Sequence, residues 1–224
     1  MELNCLTVGT LGARINGVEV ANFSLTSPDF IDLRKTIHRF KDKFDICALE
    51  ASSHALGQGR LGNLRFDAVG WTSFSQDHLD YHHTMEDYFQ AKAKLFKILP
   101  LDATAIINLD CEYGKMLKNI CPAPVVSTSS NSKDMIQFSE FQSTLKGITG
   151  KIIAGHKTYR IHSPLIGNFN KENILMAVAT AHSMDICSSS IENGIKNCTH
   201  IPGRMEYFKK PNCGTIIIDY AHTP

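Results

Sequence analysis

No C-x-x-C pair occurs in this sequence. Its seven cysteines fall at 5, 47, 111, 121, 187, 198 and 213. An odd, scattered set argues against a disulfide framework and against a thiolate-bound zinc, so reduced thiols are expected, several of them in the core. Also missing is any apolar run near the ~18 residues that span a bilayer, and no basic-then-apolar leader opens the chain. The expected compartment is the cytoplasm, with no membrane partner. Neither sign of charge is in excess: 23 basic and 22 acidic side chains leave a net +1, which removes the basic field that nucleic acid needs. The phosphate-cradling pattern G-x-x-x-x-G-K-[ST] is absent as well. Gly114-Lys115 and Gly150-Lys151 lack both the upstream glycine and the following Ser or Thr.

What is present is a hydrophobic content of 43% over 224 residues, enough to bury the core of one large domain. Polar chemistry concentrates within residues 45–99. Ile46–Leu49 and Phe66–Trp71 read as short buried strands, ending at Glu50 and near the cluster Asp77-His78-Leu79-Asp80-Tyr81-His82-His83. In an open α/β sheet the loops after the strand carboxyl ends meet in one crevice, where ligands bind. Carboxylates and imidazoles without paired thiolates suit a hard cation such as Mg²⁺ that also carries phosphates. An isolated His/Asp-rich loop is more often solvated surface; its place directly after apolar runs favours the functional reading. Thr84 and Asp87 form a capping-box pattern ahead of Met85, Tyr88, Phe89, Ala91, Leu95, Phe96 and Leu99, and Pro100 ends that helix.

Elsewhere, Asn4–Gly9 reads as a strand running into the Gly9-Thr-Leu-Gly12 turn. Ser27 and Pro28 read as N-cap and first helical residue, with an apolar stripe of Ile31, Leu33, Ile37 and Phe40. Ala103–Leu109 suggests a further buried strand, and Val125–His162 a set of hairpins. Asn170 reads as the cap of a helix at about 171–183; a shorter helix follows at about 188–198, and Thr215–Ile218 is the last strand.

Glu50-Ala-Ser-Ser-His54, Asp77-His-Leu-Asp-Tyr-His82, Ala91-Lys92 with Leu95-Phe96, Gly203-Arg-Met-Glu206 and Asp219-Tyr-Ala-His-Thr-Pro224 together resemble the central domain of the Mur ligase family. The nearest likeness is to the branch that adds the third residue of the peptidoglycan stem. The implied fold is α/β: a mostly parallel sheet flanked by helices, of the P-loop-type ATP-binding class, with a small antiparallel sheet at about 123–163. The resemblance makes residues 1–224 one central domain whose first strand and phosphate loop are missing and whose C-terminal ligase domain is absent, an inactive fragment on its own.

The implied reaction uses ATP and Mg²⁺ to convert a carboxylate of UDP-MurNAc-L-Ala-D-Glu to an acyl phosphate, which the amino group of diaminopimelate or lysine then attacks. By the same resemblance Glu50, His78 and a carbamylated Lys92 would hold metal, with Lys92, His78 and Arg204 catalytic. Thr26, Ser27, Ser52, Gln58 and Arg60 would bind the UDP-sugar-peptide. Asn170, Asn173, Arg204, Asp219 and His222 would serve the nucleotide. The ordinary alternative for Lys92 is a solvated helix lysine, the role expected of Lys94. Two other classes stay open: a non-catalytic module that binds the UDP-sugar-peptide, and another Mur or folylpolyglutamate-type ligase.

Overall fold

A computed structural model describes residues 3–129, 135–209 and 214–221. The chain divides into two compact units, Met1–Phe66 with His78–Ile98, and Asp67–Asp77 with Leu99–Pro224.

In the first unit, strands β1 (Cys5–Gly9), β2 (Gly12–Ile15) and β3 (Val18–Ala21) form an antiparallel meander. Strand β4 (Ile46–Leu49) then pairs parallel to β1, so the order is β3-β2-β1-β4. Helix α1 (Phe30–Phe40) supplies the crossover that a parallel pair requires. Leu33 of this helix is buried with Leu6, Val8, Ala13 and Leu61. Two expectations need correction here. β4 is not a buried strand: it ends the sheet order, and Cys47 and Ala48 are exposed. Ser27 does not cap α1, whose N-cap is Asp29 without a side-chain bond; Ile31 of the expected stripe is 60% exposed.

Helices α2 (Ser53–Gly57), α3 (Leu79–His82) and α4 (Met85–Lys97) complete this unit. Thr84 caps the helix as the pattern implies, Asp87 N donating to Thr84 Oγ1 at 3.0 Å; the reciprocal half of the box differs, since the Asp87 carboxylate accepts from Thr84 Oγ1 at 2.6 Å and Thr84 N donates to the His82 carbonyl. Tyr88, Phe89, Ala91, Leu95 and Phe96 bury the apolar face of α4.

The second unit holds a parallel three-stranded sheet, β5 (Ala68–Trp71), β6 (Thr104–Asn108) and β7 (Val125–Thr128). An antiparallel sheet follows, β8 (Gln137–Thr144), β9 (Gly147–Ala154) and β10 (Lys157–Ser163). The small antiparallel sheet thus begins at Gln137, whereas Val125–Thr128, expected among the hairpins, joins the parallel sheet. Helix α5 is Glu112–Ile120, α6 is Phe169–Ser183 and α7 is Ser188–Asn197. A ribbon of β11 (Glu206–Lys209) and β12 (Thr215–Ile218) ends the described chain. Ile106, Ile148, Ile152, Tyr159, Ile161 and Val178 are fully buried in one cluster that joins both sheets to α6. Each such side chain contributes about 1.5–3 kcal/mol by leaving water. The six described cysteines are half-buried or exposed, so none belongs to the core as expected; Cys213 lies outside the described residues.

Candidate functional site

Parallel pairing of β4 with β1 brings Glu50, the residue after β4, beside the Gly9-Thr10 end of β1. Glu50 N donates to the Val8 carbonyl at 2.9 Å. Glu50 Oε2 accepts from Thr10 N at 3.1 Å and from Thr10 Oγ1 at 2.9 Å. The carboxylate lies so close to the strand that a Cβ on Gly9 would sit 2.6 Å from Glu50 Cδ. Glycine at position 9 therefore leaves the room in which this carboxylate rests. Thr10 Oγ1 continues the network to Thr26 Oγ1 at 3.2 Å.

Ser27 is fully buried. It donates from Oγ to the Glu50 carbonyl at 2.6 Å and accepts from Ser52 N at 3.0 Å, stitching the loop before α1 to the loop after β4. A hydroxyl so enclosed holds its two neighbouring loops together. Ser52 N-caps α2, accepting from Ala55 N at 3.2 Å. Arg60 donates from Nη1 to the Ser27 carbonyl at 3.0 Å, and from Nε and Nη2 to Gln58 Oε1 at 2.8 and 2.6 Å. The fork expected to clamp a carboxylate or phosphate is thus presented to a carboxamide oxygen of its own loop. Gln58 Nε2 in turn donates to Tyr81 Oη at 3.3 Å.

From Tyr81 the network passes into stacked rings. His54 lies 4.2 Å from Tyr81 and 4.9 Å from His78, centroid to centroid. His78 adopts a left-handed backbone, φ 53° and ψ 28°, at the N-cap of α3, and His83 at its C-cap has φ 64°. Non-glycine residues pay about 1–2 kcal/mol in that region, a cost found where a site dictates side-chain direction. His78 is edge-on to Tyr88 at 6.0 Å, and Lys92 Nζ stands 5.4 Å from the centroid of that same ring. Lys92 is half-buried and Lys94 exposed, which separates the two helix lysines. His82 is buried, and burial, with His54 and His78 nearby, holds its pKa below the usual imidazole value.

Eight residues singled out from sequence, Thr26, Ser27, Glu50, Ser52, Gln58, Arg60, His78 and Lys92, are therefore joined in one connected network within the first unit. Thr10, Ser53, His54, Tyr81, His82 and Tyr88 make the connections and were not singled out. For Ser53, His54, Tyr81 and His82, the signal was their place inside the two quoted motifs.

Among the described residues no three His, Cys, Asp or Glu side chains are grouped to hold a metal ion. Mg²⁺ is ordinarily held by one or two carboxylates with waters and substrate phosphates rather than by a protein cage. Glu50, exposed and oriented by Thr10, fits that mode as one oxygen ligand.

In the second unit Asn170 is not the cap of α6; Asn168 precedes the helix without a side-chain cap bond. Asn170 is 3% exposed, donates from Nδ2 to the Ile166 carbonyl at 2.8 Å and accepts from Asn173 Nδ2 at 3.1 Å. Ile166 and Arg204 line one cavity of about 300 Å³ with His200, Tyr207 and Phe208. Asp219 accepts from Met205 N at 2.6 Å and from Ala221 N at 2.6 Å, fixing the turn that carries Arg204. Gly203 in this turn has φ 68° and abuts the Tyr220 ring, so a Cβ there would be both strained and crowded. The Asn170–Asn173 pair and the Asp219 turn are separate hydrogen-bonded groups among the described residues. His222 lies outside them.

The Mur ligase middle domain family matches residues 1–181. The UDP-N-acetylmuramoyl-L-alanyl-D-glutamate--2,6-diaminopimelate ligase of Rickettsia bellii is 38% identical over 97% of this chain and 47% of its own length. The protein of that name from Geobacter metallireducens is 38% identical over 88% of this chain and 40% of its own. The chain spans about half the length of these curated relatives. A solved structure of a ligase of that name superposes with a TM-score of 0.84 at 28% identity, over 99% of this chain and 46% of that one. Mycobacterium tuberculosis folylpolyglutamate synthase with ADP superposes at 0.78 with 16% identity, over 99% of this chain and 57% of that one, a likeness of fold. With the matched family covering most of its length and close relatives in sequence over nearly all of it, this chain belongs to the Mur ligase family, residues 1–181 matching its middle domain.

Proposed function

We propose that this chain is the middle domain of an ATP-dependent ligase of peptidoglycan-precursor synthesis, which joins meso-diaminopimelate to UDP-MurNAc-L-Ala-D-Glu. The observation that carries the proposal is the connected set from Glu50 to Lys92. It places a carboxylate, an imidazole, a guanidinium and an amine, each of a type the reaction needs, on one unit's hydrogen-bonded scaffold. The names of the relatives support the choice of substrate.

In this reading a carboxylate oxygen of the UDP-sugar-dipeptide attacks the γ-phosphorus of ATP and ADP leaves; the amine then attacks the acyl carbon and phosphate leaves. Glu50 and His78 are the residues that would hold Mg²⁺, which neutralises phosphate charge when bound. A carbamate on Lys92 would replace a cation with an anion able to ligate the metal. Arg60 receives a substrate anion once Gln58 turns aside, Thr26 and Ser52 line the same loops, and Ser27 holds them in place. Arg204, with Asp219 and His222, serves the nucleotide, while Asn170 and Asn173 shape the wall behind Ile166. Catalysis is then positioning and charge stabilisation in a prearranged site.

The alternative is a non-catalytic module that binds the UDP-sugar-peptide without ATP. Calorimetric titration separates the two. The ligase reading expects binding of UDP-MurNAc-L-Ala-D-Glu and, in a chain extended to its relatives' length, of ATP also; binding of the first with indifference to ATP there supports the module. No binding of the UDP-sugar-dipeptide by the chain contradicts both.

A further inference from the structure

Among the described residues His82 is the one buried histidine, 7% exposed. Its Nε2 lies 2.9 Å from Ser53 Oγ, itself 2% exposed, so a side chain of α3 is tied to the first residue of α2. Its ring stacks on Tyr88 of α4 at 5.2 Å and 29°, and meets Tyr81 edge-on at 4.8 Å. Its backbone N donates to the His78 carbonyl at 2.9 Å, and its carbonyl accepts from Thr84 N at 2.8 Å, at the cap of α4.

These neighbours lead to two arms of the candidate site, Ser53 and Tyr81 to the substrate side and Tyr88 to the metal side. Ser53 follows Ser52, Tyr81 holds Gln58, and Tyr88 faces both His78 and Lys92. One imidazole therefore links the elements that carry the substrate-side residues to those that carry the metal-side residues. We propose that His82 is a positioning residue that keeps these two arms in register, an inference that rests on the ligase reading. It touches neither substrate nor metal; it acts through Ser53, Tyr81 and Tyr88. An imidazole suits the task, because its Nε2 and the Ser53 hydroxyl form one directional bond while the ring stacks on Tyr88 and meets Tyr81 edge-on.

The test is calorimetric affinity for UDP-MurNAc-L-Ala-D-Glu, read beside thermal melting, for the wild-type chain and four variants. His82→Phe keeps a ring and loses the bond; Ser53→Ala deletes one oxygen from the other side and leaves the fold least disturbed. About tenfold weaker binding is expected from each, the scale of one buried hydrogen bond. The double variant should be no weaker than either single one, because both remove the same link. His82→Gln, whose carboxamide reaches the Ser53 hydroxyl, should recover most of the affinity. A merely structural histidine would lower the melting temperature and leave affinity at the wild-type value in both single variants, which overturns the proposal. Failure of the wild-type chain itself to bind overturns the ligase reading and the positioning role with it.

Discussion

Glu50 receives two hydrogen bonds from a single residue, Thr10, one from its backbone N–H and one from its hydroxyl. The pair exists because β4 runs parallel to β1 and ends beside its turn, and because Gly9 leaves room for the carboxylate. Thr10→Val should keep the N–H bond and lose the other. Since Glu50 is exposed, the effect on stability should stay within about 1 kcal/mol. Gly9→Ala should do more, pushing the carboxylate off the strand. Electron paramagnetic resonance with Mn²⁺ and nucleotide should show weaker metal binding in the order wild type, Thr10→Val, Gly9→Ala. Equal affinity in all three would remove Glu50 from the metal site.

Arg60 and Gln58 yield a graded prediction. Gln58→Glu would place a charged partner in the Arg60 fork and compete with any anionic ligand, so affinity for the UDP-sugar-dipeptide should fall severalfold. Gln58→Ala frees the fork and should cost less than Arg60→Ala. If Gln58→Ala is as damaging as Arg60→Ala, the carboxamide contacts the ligand directly.

Stability should respond to acid through His182. Its Nδ1 lies 2.7 Å from Tyr159 Oη, and burial, then the Lys157 charge, lowers its pKa from 6.5. The unfolded chain therefore binds more protons than the folded one just below pH 6.5, so stability is whole above that pH and declines as the pH falls through it. Calorimetric melting at pH 7.5 and pH 5.5 should show the second unit less stable in acid, with a smaller drop in His182→Gln. An unchanged drop would assign the acid sensitivity elsewhere.

Core and ribbon should differ sharply. Ile152 is fully buried, and Ile152→Ala should cost about 2–5 kcal/mol in denaturant unfolding. Ile217 is 49% exposed on β12, and Ile217→Ala should stay within about 0.5 kcal/mol. Comparable losses would mean that β12 is buried in solution.

The elements that sequence placed well are those with local causes. Thr84 and Asp87 cap α4 because both partners lie within one turn, and Pro100 follows close behind. The β2–β3 hairpin has an equally local sign, Asn16-Gly17 with φ 50° and 83°. Ser27 and Asn170 looked like caps because short polar side chains favour those positions. Ser27 instead donates to the Glu50 carbonyl 23 residues away, a tertiary pairing that overrides the local preference, and Asn170 donates back to the Ile166 carbonyl four residues before it. Which residues to consider for the site was legible from motifs. How they connect was not: Ser53 and His82 lie 29 residues apart, and only the packing of α2 against α3 and α4 makes them neighbours.

Lys92 offers the most direct test of the account, as substrate-dependent phosphate release by a polypeptide extended to the length of the relatives. If Lys92 works as a carbamate, Lys92→Ala should lose ~3 kcal/mol of transition-state stabilisation, about a hundredfold in rate, with its melting curve unchanged. Lys92→Arg should be as poor, since it fixes the wrong charge. Added short carboxylic acids should restore part of the rate to Lys92→Ala, where an anion can enter the vacated space, and none to Lys92→Arg. Near-normal turnover by Lys92→Ala would contradict the account and leave Lys92 an ordinary helix lysine beside Tyr88.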